Sequence, residues 1–383
     1  MRIGIDIRCL AEGKRTGVEE YTIALLRELF EHDQENEYIL FFNAWRRTTP
    51  DFTWVTRSPR VTLRTFHFPN KLLNLSLWYF GWPKLDRLIG GTDIFFLPNL
   101  NFAAVSRHTK LVVTAHDLSF ELFPETFSWK QRFWHYLIDF RRLTRQAHRV
   151  IAVSCSTKQD LIAEYRVPEK KIVIIKSGID ARFIPMNRND AELIRIKERY
   201  RLPYRFILYL GTFEPRKNIL ALVRAYEALM RTGGPALEKY ELVLAGAPGW
   251  KFQELLEACQ SSLYHEKIHL TGFIADQDKV GLYNLASVFV YPSFYEGFGF
   301  PPLEAMACGI PAITSHSSSL PEVVGKAGIT IDPYQPDELY QALKSVLEQP
   351  ELVRALEQSG PKQAAQFSWT KAAHDTLALF RGL

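Results

Sequence analysis

Cysteine is scarce in this chain, with four residues in 383: Cys9, Cys155, Cys259 and Cys308. They are widely scattered, with no CxxC spacing and no histidine cluster beside them, which argues against a disulfide framework and a zinc site. Cys308 reads as a small buried helix residue in preference to a nucleophile. Long apolar runs are also missing. No stretch approaches the roughly 18–20 apolar residues that span a bilayer. The opening Met-Arg-Ile-Gly-Ile-Asp-Ile reads as a strand and lacks the charged leader, apolar run and cleavage site of a signal peptide. A cytoplasmic protein is expected. No internal repeat or low-complexity tract occurs, and no HExxH, Walker sequence, Ser-His-Asp order or strand-borne DxD pair. Gly13 and Gly17 do not make a GxGxxG, and the absence of that fingerprint speaks against a dinucleotide oxidoreductase.

What remains is an ordinary apolar content of 47% in a chain long enough for two α/β domains. Charge is unevenly placed. Residues 1–185 hold 27 Lys/Arg against 20 Asp/Glu, whereas the remainder holds 20 against 22. A basic first half fits an anionic lipid surface, a phosphorylated acceptor or nucleic acid, and random surface charge is the plain alternative.

Short apolar runs alternate with helix-period segments, the pattern of a parallel sheet flanked by helices. Strands are expected at 2–7, 38–42, 61–65, 94–97, 111–114, 150–153 and 172–175, with helices near 18–31, 129–148 and 156–165. The pattern then restarts. Strands follow at 206–210, 241–245, 268–271, 288–291, 312–314 and 328–331, with helices near 217–231, 336–348 and 369–381. A charged stretch at about 183–203 with Pro185 and Pro203 marks the boundary. The expected domains are 1–190 and 191–365, with 366–383 as a final helix packing back toward the N-terminal domain.

The informative segment is YPSFYEGFGFPPLEAMACG at 291–309. An apolar strand runs into a glycine-containing loop bearing Glu296. Pro301 and Pro302 sit where a helix begins, and Glu304 lies in its first turn. Gly297 and Gly299 allow close backbone approach to a ligand, and amides at a helix start suit a diphosphate. Two carboxylates suit the hydroxyls of a ribose and a sugar. The bland alternative is a surface loop with Glu304 as a helix cap.

This segment, with SSSLPEVVGKAGITIDP at 317–333, LTGFI at 270–274, LVLAGAPGW at 242–250 and LYLGTFEPRKNI at 208–219, resembles the family-4 glycosyltransferases. TGVEEYT at 16–22, TAHDL at 114–118 and HRVIAVSCSTKQDL at 148–161 extend the resemblance over almost the whole chain. It implies a GT-B architecture, two Rossmann-like domains facing each other across a cleft, and retaining hexosyl transfer from a nucleotide-sugar. Glu304 would hold the ribose hydroxyls. Glu296 and the backbone of Gly297, Phe298 and Gly299 would hold hydroxyls of the transferred sugar. Lys217, with Arg216 beside it, would neutralise the diphosphate. Gly17 would let the backbone approach phosphate or acceptor, and His116 would contact and orient the sugar. The backbone at Gly272 and Phe273 would meet the base. Many relatives carry an Arg where this chain has Thr212, so the usual cationic pair is not in its usual places.

The GTxEPRKN form resembles a branch rich in mannosyltransferases of polysaccharide assembly, which favours GDP-mannose over UDP-glucose or another UDP-hexose. No metal or other cofactor is expected, the leaving diphosphate being stabilised by Lys217, Arg216 and backbone dipoles. The implied acceptor is a glycan or lipid-linked glycan held by the first half. There, residues 68–85 and 129–149 interleave aromatic and basic side chains, a composition suited to peripheral contact with an anionic membrane. A half-buried helix with solvated arginines is the alternative. Nucleic-acid binding lacks a recognisable module. The rival readings are a sugar phosphorylase or epimerase of similar shape, and a degenerate transferase that binds without catalysis, for which Thr212 speaks.

Overall fold

Most of the expected strands take shape because they are apolar runs that can be covered on both faces, as parallel strands require. Phe206–Leu210 illustrates this, since all five residues are buried. A computed structural model describes residues 1–12, 17–45, 52–55 and 58–383, and the chain falls into two compact units. The first comprises Met1–Leu118, Trp129–Gly178 and Ser368–Leu383, and the second Ser119–Ser128 and Ile179–Phe367.

The first unit contains β1 (Arg2–Asp6), β2 (Glu37–Asn43), β3 (Val61–Phe66), β4 (Ile94–Leu97), β5 (Lys110–Ala115), β6 (Arg149–Ala152) and β7 (Ile172–Ile174). They form one parallel sheet in the order β3-β2-β1-β4-β5-β6-β7. The chain winds from β1 to one edge, then returns to β4 and winds to the other. The helix Gly17–His32 packs on the closing helix Trp369–Arg381, whose Phe380 meets Phe96 of β4 at 5.6 Å between ring centroids.

The second unit contains β8 (Phe206–Leu210), β9 (Glu241–Ala245), β10 (Ile268–Gly272), β11 (Val288–Tyr291), β12 (Ala312–Ser315) and β13 (Ile329–Ile331). They make a parallel sheet in the order β10-β9-β8-β11-β12-β13. The winding direction reverses between β8 and β11. In open parallel sheets ligands bind outside the carboxyl ends of the strands at such a reversal. The reversal in the first unit lies between β1 and β4.

Helices differ from the sequence reading in several places, among them Ala191–Arg199, which forms within the stretch read as a charged boundary. The helix expected over 129–148 is broken into Trp129–Ile138 and Phe140–Gln146. Asp139 adopts a left-handed conformation, φ 49°, and its carboxylate accepts the Arg142 amide at 3.0 Å. A short polar side chain that caps its own helix tolerates this conformation. The helix Pro350–Ala364 was not among the expected ones, and it contains Pro361, a local breaker. Packing on the helix Phe300–Ala307 supports it, and a Cβ on Gly360 would lie 3.0 Å from the Met306 carbonyl oxygen.

Candidate active site

The strands on either side of the second unit's reversal, β8 and β11, deliver the charged groups. Beyond β8, Pro215–Lys217 forms a single 3-10 turn ending at Asn218, which has φ 54°. Beyond β11, the chain reaches Glu296 through a loop bonded back to that turn, the Phe294 amide donating to the Arg216 carbonyl at 2.9 Å. Lys217 Nζ thereby donates to Glu296 Oε1 at 2.6 Å and to the Tyr291 hydroxyl at 2.8 Å. The Lys217 ammonium also lies 5.1 Å from the centroid of the Tyr291 ring, and Tyr291 stacks on Tyr209. Arg216 Nη1 lies 3.2 Å from Glu296 Oε2 and donates to the Tyr295 carbonyl.

Lys217 and Glu296 are each 8% exposed, so their charges depend on each other. Burial alone would raise the Glu296 carboxyl, but Arg216 and Lys217 overcome it and hold the group at about 2. Burial, together with Arg216, pushes Lys217 below the ordinary lysine value, while Glu296 opposes the shift. Burial, reinforced by Glu296, pushes the Tyr291 phenol well up, which keeps it neutral. The inner cluster is therefore two cations around one carboxylate. Glu214 approaches Arg216 at 3.9 Å from a more exposed position and offsets part of the excess.

This pairing makes a prediction for acid. A carboxylate whose folded value lies below its ordinary 4.5 contributes stability that is complete above about 4.5 and lost as pH falls toward about 2. Asp276, whose burial penalty is overcome by its bond to Arg182, also titrates low. The expected result is therefore a difference. Plotted against pH, the melting temperature of Glu296→Gln should fall less steeply between about 4.5 and 2 than that of the unmodified protein.

The loop after Glu296 is fixed by two serines. Ser318 Oγ accepts the Glu296 amide at 2.8 Å, while Ser319 Oγ donates to the carbonyls of Glu296 and Phe298 at 2.9 and 2.6 Å. Gly299 then turns at φ 113°, a conformation that favours glycine, and starts the helix Phe300–Ala307. Pro301 and Pro302 bring no N–H. Glu304 is buried at 5% exposure, and its Oε2 accepts the Tyr283 hydroxyl at 2.7 Å.

The residues expected on the base side lie at the same end of the sheet, past β10. Gly272 closes β10 at φ 72°, and Phe273 beside it is exposed. The Gly246 amide donates to the Gly272 carbonyl at 2.9 Å. A Cβ on Gly246 would lie 1.9 Å from the Gly211 carbonyl oxygen, so no side chain fits there. Thr212 is exposed just past β8, with its carbonyl accepting the Tyr209 hydroxyl at 3.1 Å.

Two of the expected residues belong to the first unit. His116 follows β5, and its Nε2 bonds the Pro98 carbonyl at 2.8 Å beyond β4. A carbonyl only accepts, so Nε2 carries the proton and Nδ1 the lone pair. Burial pushes the ring's pKa down, and Tyr21 packs edge-on at 4.7 Å. Gly17 is the exposed first residue of the helix Gly17–His32, and residues 13–16 before it lie outside the described residues. Nearby, Asp6 and Arg8 form a buried ion pair at the end of β1, with Arg8 also donating to the Phe102 carbonyl at 2.6 Å.

The structure thus joins Arg216, Lys217 and Glu296 directly and places Gly297, Phe298 and Gly299 in the continuing loop. Sequence reasoning did not single out Tyr291, Tyr283, Ser318, Ser319 or Gly246 as supports. All but Tyr283 stand in a segment that resembles the family, and Gly246 repeats the strand-then-glycine ending seen at Gly211.

The family model described as glycosyl transferases group 1 matches residues 190–363, and the one described as glycosyltransferase family 4 matches residues 15–183. O-antigen chain mannosyltransferase B of Escherichia coli is 35% identical over 283 residues, covering 73% of this chain and 72% of that protein. The chain belongs to glycosyltransferase family 4. A serotype-specific mannosyltransferase, WbdA of E. coli, is 33% identical over 278 residues, covering 72% of this chain. The matched region spans about a third of that longer relative, 34% of its length. HepE of Anabaena, solved in complex with UDP-glucose, matches with a TM-score of 0.75 over 100% of both chains at 17% identity. The transferase therefore has the GT-B fold, with two Rossmann-like domains built on parallel sheets. Among the described residues, no helix is long and apolar enough to cross a membrane.

Proposed function

We propose that this glycosyltransferase moves mannose from GDP-mannose, with retention of configuration, to a glycan or lipid-linked glycan in polysaccharide assembly. The observation that carries the reading is the Arg216–Lys217–Glu296 cluster at the β8/β11 reversal. Two cations and a carboxylate at one point match a donor that brings a diphosphate and a ring of hydroxyls together. The mannose preference is supported by the two E. coli relatives, both named mannosyltransferases. The UDP-glucose held by HepE, at much lower identity, supports a UDP-hexose as the second reading.

In the proposed step, the bond between the sugar's anomeric carbon and the diphosphate oxygen breaks. The acceptor oxygen bonds that carbon on the same face, and the acceptor's proton passes to the leaving phosphate. Lys217 and Arg216 stabilise the charge that grows on the diphosphate, and Glu296 turns from these cations to sugar hydroxyls. Glu304 takes the ribose hydroxyls, and His116 offers a neutral ring to the sugar. The proposal requires no metal, since the cationic charge comes from side chains.

Titration with GDP, UDP and ADP, followed by melting temperature, tests the donor. A nucleotide at about 100 times its dissociation constant adds roughly 2.7 kcal/mol to the form that binds it. That corresponds to a rise of several degrees for a unit of this size. GDP alone is expected to produce the rise. A rise with UDP alone would transfer the assignment to UDP-hexoses, and no rise with any of the three would favour a degenerate scaffold.

A further inference from the structure

The first unit presents a face that its own core does not use. Helix Asn70–Tyr79 buries only Leu73 and Leu77, and helix Trp129–Ile138 buries only Ile138. Soluble helices ordinarily cover a wider apolar stripe than this. Among the described residues, 21 large hydrophobic side chains are exposed, and eleven fall within 68–85 and 129–149, about a tenth of the chain. Trp78, Tyr79, Phe80 and Trp82 are exposed in the first segment and Trp129, Phe133, Trp134 and Tyr136 in the second, Trp134 meeting Phe102 edge-on at 6.4 Å between ring centroids. These two segments hold eight Lys or Arg and a single carboxylate, Asp139, whose side chain caps a helix. The segments also line one cavity of about 490 Å³. Lys84, Arg107 and Arg142 line it, and the charged end of none of these side chains meets a carboxylate among the described residues. The cavity extends to Thr109, Leu111 and His148, near the N-terminal ends of β5 and β6. That is the end of the sheet away from His116.

We infer that this face docks on an anionic phospholipid bilayer, its aromatic rings at headgroup depth and Lys84, Arg107 and Arg142 meeting lipid phosphates. Charge complementarity selects this occupant, because a surface with almost no carboxylate and unpaired cations around aromatic rings suits an anionic interface. The inference does not depend on the donor or the reaction, and its test reads no activity.

The test is flotation with vesicles of phosphatidylcholine, with and without phosphatidylglycerol. The full chain should float with the anionic vesicles, not with the zwitterionic ones, and should detach as salt is raised. Removing an interfacial basic residue should weaken partitioning about fivefold, so Lys84→Gln with Arg142→Gln should weaken it about 25-fold. Tyr79→Ser with Trp82→Ser should weaken it as well, with melting temperatures unchanged as the check on folding. Four of the eight tryptophans lie on this face, so brominated lipid should quench a large part of the fluorescence. Absence of flotation, or flotation equal for both vesicles or unaffected by the substitutions, overturns the inference. A dimer that Tyr79→Ser with Trp82→Ser dissolves also overturns it, by making the face a contact between copies.

Discussion

Lys217→Gln should lower turnover about 100- to 1000-fold, the usual consequence of removing one group aimed at charge that develops in the transition state. The geometry explains why this lysine and not a neighbour should dominate. Its ammonium is held by Glu296 Oε1 and the Tyr291 hydroxyl and seated over the Tyr291 ring, so it is aimed before any ligand arrives. Arg216 is anchored through the Tyr295 carbonyl and turns part of its charge toward Glu214. Lys217→Arg should recover little, because a planar fork does not fit a seat shaped for a compact ammonium. Glu296→Gln separates binding from chemistry. It frees both cations from their internal counter-ion, so GDP should bind at least as tightly as before while transfer falls. Steady-state kinetics with a GDP titration checks both variants. Wild-type turnover in Lys217→Gln would remove the lysine from the mechanism.

Glu304→Ala should have the second largest effect, and it should be selective. A lost hydrogen bond to a charged group is worth about 1.5–3 kcal/mol, or roughly 10- to 100-fold in the dissociation constant of the nucleotide. The Tyr283 hydroxyl donates to one oxygen of the carboxylate and fixes it, and under the proposed function that carboxylate meets the ribose. Inorganic diphosphate carries no ribose, so its binding should not change. If diphosphate and GDP weaken equally, Glu304 acts through the fold and not through a contact with the nucleoside.

The architecture was legible because most strands, such as β8 and β11, are apolar runs buried on both faces, and such a run carries its own signal. The break at Asp139 was not, since a left-handed residue within an otherwise helical pattern depends on the cap it forms. The helix through Pro361 was not legible either, because packing overrides a local breaker there. The site shows the same division. Glu296, Glu304, Arg216 and Lys217 stand out as residue types in motifs. That Lys217 and Glu296 bond each other across 79 residues follows only from the sheet order, which sets β8 beside β11. The sequence reading gave these two residues separate tasks, one on the diphosphate and one on the sugar. The structure adds that each is the other's partner. The supporting tyrosines were hidden for a related reason, since a buried phenol in a strand reads as core until its hydroxyl is seen to hold a charge.

Transfer from GDP-mannose to a mannose-terminated oligosaccharide, with the new linkage read by proton NMR, tests the account most directly. The account predicts stoichiometric release of GDP and an α-linked mannose in the first product formed. A β-linked product would contradict retention, and transfer from UDP-glucose but not from GDP-mannose would contradict the donor.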